Sequence, residues 1–246
     1  MSPSVPVPTV LARVGAWVRD YAYAAAGQIR AAVDRTDPAT FRSGGRTPIV
    51  VLPGIYESWR FMLPLIAAIH DRGHPVHVID VLRRNGRPVD EGADAVVRYL
   101  DEHDVRGAVI VAHSKGGLVG KRAMVAGATP DRVTAMLAIA TPFAGSRYAR
   151  YFLARSIRGF SPRDATIRAL LRETAVDARI VSVYGRFDPH IPEGSELPGA
   201  RNVVLDTMGH FRVLADPRIL DELATLTGQA RPDGGRPDGG RPGDDG

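Results

Sequence analysis

Three side chains of this 246-residue chain are of types that together could turn a hydroxyl into a nucleophile. Ser114 follows the apolar run Ala108-Val109-Ile110-Val111-Ala112 and His113, and precedes Gly116-Gly117 and a helix-like segment. Strand, sharp turn and helix is the order that holds a hydroxyl clear of a sheet edge, at the positive end of a helix, with a backbone N–H behind it. A serine hydroxyl is a poor nucleophile at neutral pH, so it needs a base, and the base needs an orienting group. Asp188 and His210 stand just past two later apolar runs, where a parallel sheet presents its ligand-facing residues.

The elements that must position these groups are readable from hydrophobic patterning. Short apolar runs at 49–52, 75–81, 105–112, 133–140, 179–184 and 202–205 read as buried strands. Helical patterns follow at 58–72, 92–103, 115–126 and 217–226. Alternating strands and helices imply right-handed crossovers and one α/β domain, a mainly parallel sheet of about six strands with helices on both faces. Residues 1–45 read as an N-terminal extension with an amphipathic helix over 9–34. Its stripe is Val10, Val14, Trp17, Tyr21, Ala25 and Ile29, expected to dock on the body or else to touch a membrane surface or partner. The catalytic body spans 46–227, and 228–246 reads as a disordered tail, since its repeated Arg-Pro-Asp-Gly-Gly from Arg231 on has no apolar side chain to bury.

Composition excludes several function classes. With no cysteine there is no disulfide, thiolate metal site or cysteine nucleophile. The net charge of +5 comes from arginines scattered singly, which argues against a dedicated nucleic-acid binder. His70, His74 and His77 straddle a helix end, a turn and a strand, which is no metal-ligand spacing, and no metal or cofactor is expected. No apolar run resembles a signal-peptide core or a membrane span, so a cytoplasmic protein is the default expectation.

Pro53-Gly54 after a buried strand, Ala-His-Ser-Lys-Gly-Gly at 112–117, Ala140-Thr141-Pro142-Phe143-Ala144-Gly145-Ser146, Tyr184-Gly185-Arg186-Phe187-Asp188-Pro189 and Met208-Gly209-His210-Phe211 together resemble the α/β-hydrolase superfamily. The Thr-Pro-x-x-Gly-Ser segment is most similar to its bacterial lipase and esterase branches, and the resemblance runs from about residue 47 to 227. The order Ser, Asp, His is the one that superfamily uses. The resemblance implies a carboxylic-ester hydrolase in which Ser114 is the nucleophile, His210 the base and then acid, and Asp188 the group that fixes the His210 tautomer. It further implies an oxyanion hole of the Ile55 and Lys115 backbone N–H groups, a small cap at 142–174, and substrate contacts from Gly54, Tyr56, Phe143, Tyr148 and Phe152.

Rival residues are weighed on geometry. His113 neighbours the nucleophile on a strand, so its side chain points away from it, and it reads as a brace for the elbow. His190 reads as a loop residue at a pocket rim, and Asp206 as the second choice for the acid. The Lys115 side chain either follows the helix surface to solvent or meets an acidic substrate group. The cap carries seven arginines against Asp164 and Glu173, interleaved with Tyr148, Tyr151, Phe152, Leu153 and Phe160. That pattern suits a solvated face with an apolar underside, or contact with an anionic lipid surface or substrate group. The expected partner is a small ester or a lipid. A thioesterase, amidase or acyltransferase with the same three residues is the alternative, and a non-catalytic binding protein on this scaffold is the reading from another class. Oligomeric state is not legible.

Overall fold

The computed structural model describes residues 9–127, 130–151 and 153–228; Phe152 and the C-terminal repeat lie outside them. Six strands form one sheet, β1 (Ile49–Leu52), β2 (Val76–Val78), β3 (Ala108–His113), β4 (Val133–Ile139), β5 (Ile180–Gly185) and β6 (Arg201–Leu205). Their spatial order is β2-β1-β3-β4-β5-β6, and each neighbouring pair is parallel. The helices are α1 (Val10–Val33), α2 (Leu63–His70), α3 (Val89–Glu102), α4 (Lys115–Ala126), α5 (Arg155–Arg158), α6 (Ala165–Arg172) and α7 (Arg218–Leu226).

The wholly buried strands β1 and β3 explain why the sequence shows runs rather than alternation. Val50, Leu52, Ile110 and Ala112 face a core built with α3, α4 and α6, whereas Ile49, Val51, Val109 and Val111 face a second core with α2 and α7. Two cores on the two faces of one sheet are what right-handed crossovers produce. The chain leaves β1 in one direction to make β2 and then returns past it to make β3. Ligand sites in such sheets form where the order reverses. Leu52 pairs with Ala112, so the loops that follow β1 and β3 emerge side by side.

Differences from the sequence reading are local. The strand expected over 75–81 covers only Val76–Val78, because Asp80 opens a 3-10 turn and this edge strand has β1 as its single neighbour. The helix expected from 92 begins at Val89, just behind Pro88. Helix α1 does dock on the body, against the 3-10 turn Trp59–Met62 and the turn after His210, but not through the expected stripe. Its buried residues are Ala16, Asp20 and Gly27, with Tyr23 against Phe61, and the Val10, Val14, Trp17, Tyr21, Ala25, Ile29 stripe is exposed. Close approach is the reason: a Cβ on Gly27 would stand 2.6 Å from the Phe61 ring, so the small residues mark the docked side.

Candidate active site

Ser114 sits at the tip of the turn between β3 and α4 with φ 51° and ψ −119°, a left-handed conformation that non-glycine residues rarely hold. Its N–H donates to Ile139 O at 2.8 Å, which anchors the turn to β4. The turn brings the start of α4 against the end of β1. A Cβ on Gly116 would stand 2.2 Å from Leu52 O, so glycine is required there by contact.

Ser114 Oγ lies 2.9 Å from His210 Nε2, and His210 Nδ1 lies 2.7 Å from Asp188 Oδ2. Asp188 follows β5 and His210 follows β6, so three loops at one edge of the sheet meet. The other Asp188 oxygen accepts from the His190 N–H at 2.7 Å and the Ile191 N–H at 3.1 Å. Burial alone would lower the His210 pKa, but the charge and hydrogen bond of Asp188, with Glu57 and Asp20 behind it, outweigh burial and leave it above its ordinary value. Burial would conversely raise Asp188, and the paired His210 holds it below the usual carboxylate range. Asp206, the alternative acid, pairs with Arg186 at 3.6 Å and is exposed.

Residues 53–57 lie alongside the elbow. Glu57 Oε2 accepts from the Gly54 N–H at 2.8 Å and is 2.9 Å from His113 Nδ1. The opposite ring nitrogen of His113 donates to the His210 carbonyl at 3.1 Å, since a carbonyl can only accept. His113 and Glu57 therefore tie the loop after β1 to the loop carrying His210. His113 does brace the elbow, as its strand position suggested. No hydrogen bond from the Ile55 or the Lys115 backbone N–H is formed among the described residues; Lys115 opens α4 directly behind Ser114, and Ile55 lines the same cavity as Ser114.

The Lys115 side chain takes neither expected course. It is buried, and its Nζ donates to Asn85 O at 2.8 Å and to Arg87 O. Burial pushes it down to about 8, with Glu91 opposing. The physical reason is the loop at 83–88, which folds over the start of α4 and offers carbonyls that would otherwise lack donors. Lys115→Met is expected to lower stability by about 1–3 kcal/mol through those orphaned carbonyls, read as a lower urea midpoint, with kcat changed less than about threefold.

A carboxylate outside all of the recognised motifs completes the site. Asp20 of α1 is wholly buried, and its two oxygens accept from three consecutive backbone N–H groups, His210 at 2.8 Å, Phe211 at 2.8 Å and Arg212 at 2.9 Å. Gly209 precedes them at φ +121°, and a Cβ there would stand 2.4 Å from Asp20 Oδ1. No spacing rule could find a contact across 190 residues, but one signal was present: Asp20 is the single acid in the helix, in phase with its small residues.

A cavity of about 590 Å³ opens over Ser114 and His210. Its walls are mostly apolar and come from the loop after β1 (Ile55, Tyr56), the cap (Tyr148, Tyr151, Ile157, Phe160), the last loops (His190, Phe211) and α1 (Tyr21, Gln28). Tyr56, on the loop after β1, reaches the cap, its hydroxyl 2.6 Å from Ser156 Oγ. Of the expected substrate contacts, Tyr56 and Tyr148 line this cavity, and Phe152 lies outside the described residues. Gly54 and Phe143 do not line it. Gly54 sits behind Ile55 with its N–H held by Glu57, and Phe143 turns inward to the core, its ring 6.0 Å from Lys121 Nζ. His190 and Phe160 line it as well, in keeping with their reading as a pocket-loop residue and a cap residue, whereas Tyr21, Gln28, Ile157 and Phe211 are lining residues that sequence reasoning did not place. His190 sits 4.9 Å from the His210 ring, and burial lowers its pKa to about 4, so it is neutral near pH 7. Among the described residues no group of His, Asp and Glu could hold a metal ion.

No protein-family model and no curated protein matches the chain. Solved structures do. A lipase of Bacillus licheniformis aligns at 14% identity with a TM-score of 0.61, over 79% of this chain and 95% of that one. An α/β-hydrolase enzyme from a sediment metagenome of the Mar Chica lagoon, Morocco, aligns at 19% identity and 0.53, over 74% and 90%. A structure from a study of carboxylesterases of Nitrososphaera gargenis aligns at 15% and 0.52, over 80% and 94%. The chain has the α/β-hydrolase fold.

Proposed function

We propose that this α/β-hydrolase-fold chain is a serine hydrolase that cleaves carboxylic esters through an acyl-enzyme on Ser114. The observation that carries the reading is the continuous hydrogen-bonded line from Ser114 Oγ through His210 to Asp188, at 2.9 and 2.7 Å, at the floor of an apolar cavity. Ser114 Oγ attacks the ester carbonyl carbon while His210 Nε2 takes its proton. The carbonyl oxygen becomes an oxyanion between the Ile55 and Lys115 N–H groups. His210 then protonates the departing alkoxide, and the alcohol leaves. Water, giving its proton to His210, attacks the acyl carbonyl, and the acid departs as Ser114 regains its proton. Asp188 holds His210 in the tautomer with Nε2 free to accept.

The cavity volume of about 590 Å³ suits a small or medium acyl group and falls in the range of small-molecule sites. That fold neighbours are described as a lipase and as carboxylesterases agrees with this chemistry. Aryl esters of increasing acyl length, with thioester and amide analogues, test it. The expected result is fastest turnover on a short or medium ester with slower thioester and amide cleavage; a thioester or amide preferred over every ester would overturn the ester assignment.

His210 must be neutral to accept the Ser114 proton, and its pKa lies above the ordinary 6.5. The rate constant kcat/KM should therefore fall as pH drops through a single ionisation above 6.5, because His190 is already neutral there. A pH–rate profile flat between pH 5 and 8 would contradict this assignment of the base.

A further inference from the structure

The outward face of α1 has no partner among the described residues. Leu11 is 85% exposed, Val18 57% and Ile29 67%, with Val14 between them on the same side of the helix. Trp17, 49% exposed, joins this face to the cavity: its ring lies 4.7 Å from Tyr21, and the Tyr21 ring lies 5.4 Å from His190. On the cap, Tyr151 lines the cavity and is exposed, as is Leu153 two residues on, and Arg150 and Arg158 of the same segment are exposed. The exposed apolar surface of the cap is thus accompanied by cations.

We infer that this face of α1 lies on an anionic phospholipid surface, with the cavity mouth beside that surface. The charge pattern selects the occupant. The helix carries Arg13, Arg19 and Arg30, all exposed, and its single acid, Asp20, is wholly buried with its oxygens taken by three backbone N–H groups. The only charge that α1 shows to solvent, beside its apolar surface, is therefore positive. A second copy would bring like charge against like charge. A tryptophan on an apolar face bordered by arginines is the composition of helices that lie in a bilayer interface. Among the described residues no helix is long and apolar enough to cross a membrane, in keeping with a helix that lies on the surface.

The test is flotation of the full chain with vesicles of diether phosphatidylglycerol, which have no carboxylic-ester bond to cleave, beside diether phosphatidylcholine. Trp59 is 3% exposed, so any change in tryptophan emission on binding reports Trp17. Binding to the anionic vesicles with a blue shift is expected, weakened about tenfold or more between about 50 mM and about 500 mM salt. The double variant Leu11→Ser/Val18→Ser, on exposed residues that do not line the cavity, should weaken it about tenfold. Its melting temperature and its rate on a soluble ester should match the parent. Three results would overturn the inference: no flotation with phosphatidylglycerol, flotation indifferent to the double substitution, or a dimer in sedimentation velocity that the same substitution dissolves. None of these readouts depends on turnover, so each stands whatever the reaction at Ser114 proves to be.

Discussion

Ser114→Ala is expected to lower kcat by about 10⁶-fold while leaving the fold intact. The hydroxyl is the atom on which the acyl group would rest, and no other hydroxyl or thiol can substitute. The chain has no cysteine, and among the described residues only Ser114 has an oxygen within hydrogen-bond reach of His210 Nε2. The scaffold should tolerate the change, because the elbow is held by the Ser114 N–H to Ile139 O and by the Gly116 contact with Leu52, and neither uses the side chain. Alanine at φ 51° inherits the backbone strain already present. Steady-state kinetics on an aryl ester, with a melting curve for each protein, check both halves of the expectation. Residual activity within tenfold of the parent would mean that Ser114 does not carry the acyl group.

Asp20→Ala is expected to lower kcat by about 10²-fold or more and stability by about 2–4 kcal/mol. Three N–H groups of residues 210–212 lose their common acceptor, one of them on His210, the proposed base. The His210 ring is positioned by its backbone as well as by Asp188, and displacement of a catalytic group by about 1 Å costs on the order of 10²-fold. Charge supplies a second readout that a purely structural role would not move. Asp20 is among the groups that raise the His210 pKa, so removing it should shift the acid limb of kcat/KM to lower pH. Asp20→Asn, which keeps an acceptor oxygen but not the charge, should show that shift with a smaller loss of kcat. A variant with parental kcat and an unmoved acid limb would show that the clamp contributes neither position nor charge.

These two residues also mark the boundary of what could be read from the chain. Ser114 and Asp188 are legible because each follows a buried strand, and buried parallel strands are continuous apolar runs that end at the site. His210 follows the edge strand β6, of which only Val203 and Leu205 are buried, and is legible from the short run 202–205 and the Met208-Gly209-His210-Phe211 segment. The helix Lys115–Ala126 was read to the residue from the helical pattern that follows the elbow with its Gly116-Gly117 pair. Asp20 and Glu57 were not legible. Both act through backbone N–H groups or a histidine brought near by the tertiary fold, and their partners stand 190 and 56 residues away. The face of α1 was misassigned because large apolar residues were taken to mark the docked side, whereas close packing on Phe61 selects the small ones and leaves the large ones outside. Phe143 failed in a similar way: a phenylalanine beside a pocket motif suggested a substrate contact, but the chain after β4 turns it into the α3–α4 core. Lys115 went to carbonyls of a loop that no local pattern connects to it.

The central claim is that Ser114 is an activated nucleophile, and covalent labelling tests it most directly. A fluorophosphonate probe reacts with a serine only when a base removes its proton and an oxyanion site stabilises the adduct. Peptide mapping of the labelled protein by mass spectrometry should place one adduct on Ser114. The labelling should be absent in Ser114→Ala and much slowed in His210→Ala. No adduct, or an adduct that persists in Ser114→Ala, would contradict the account.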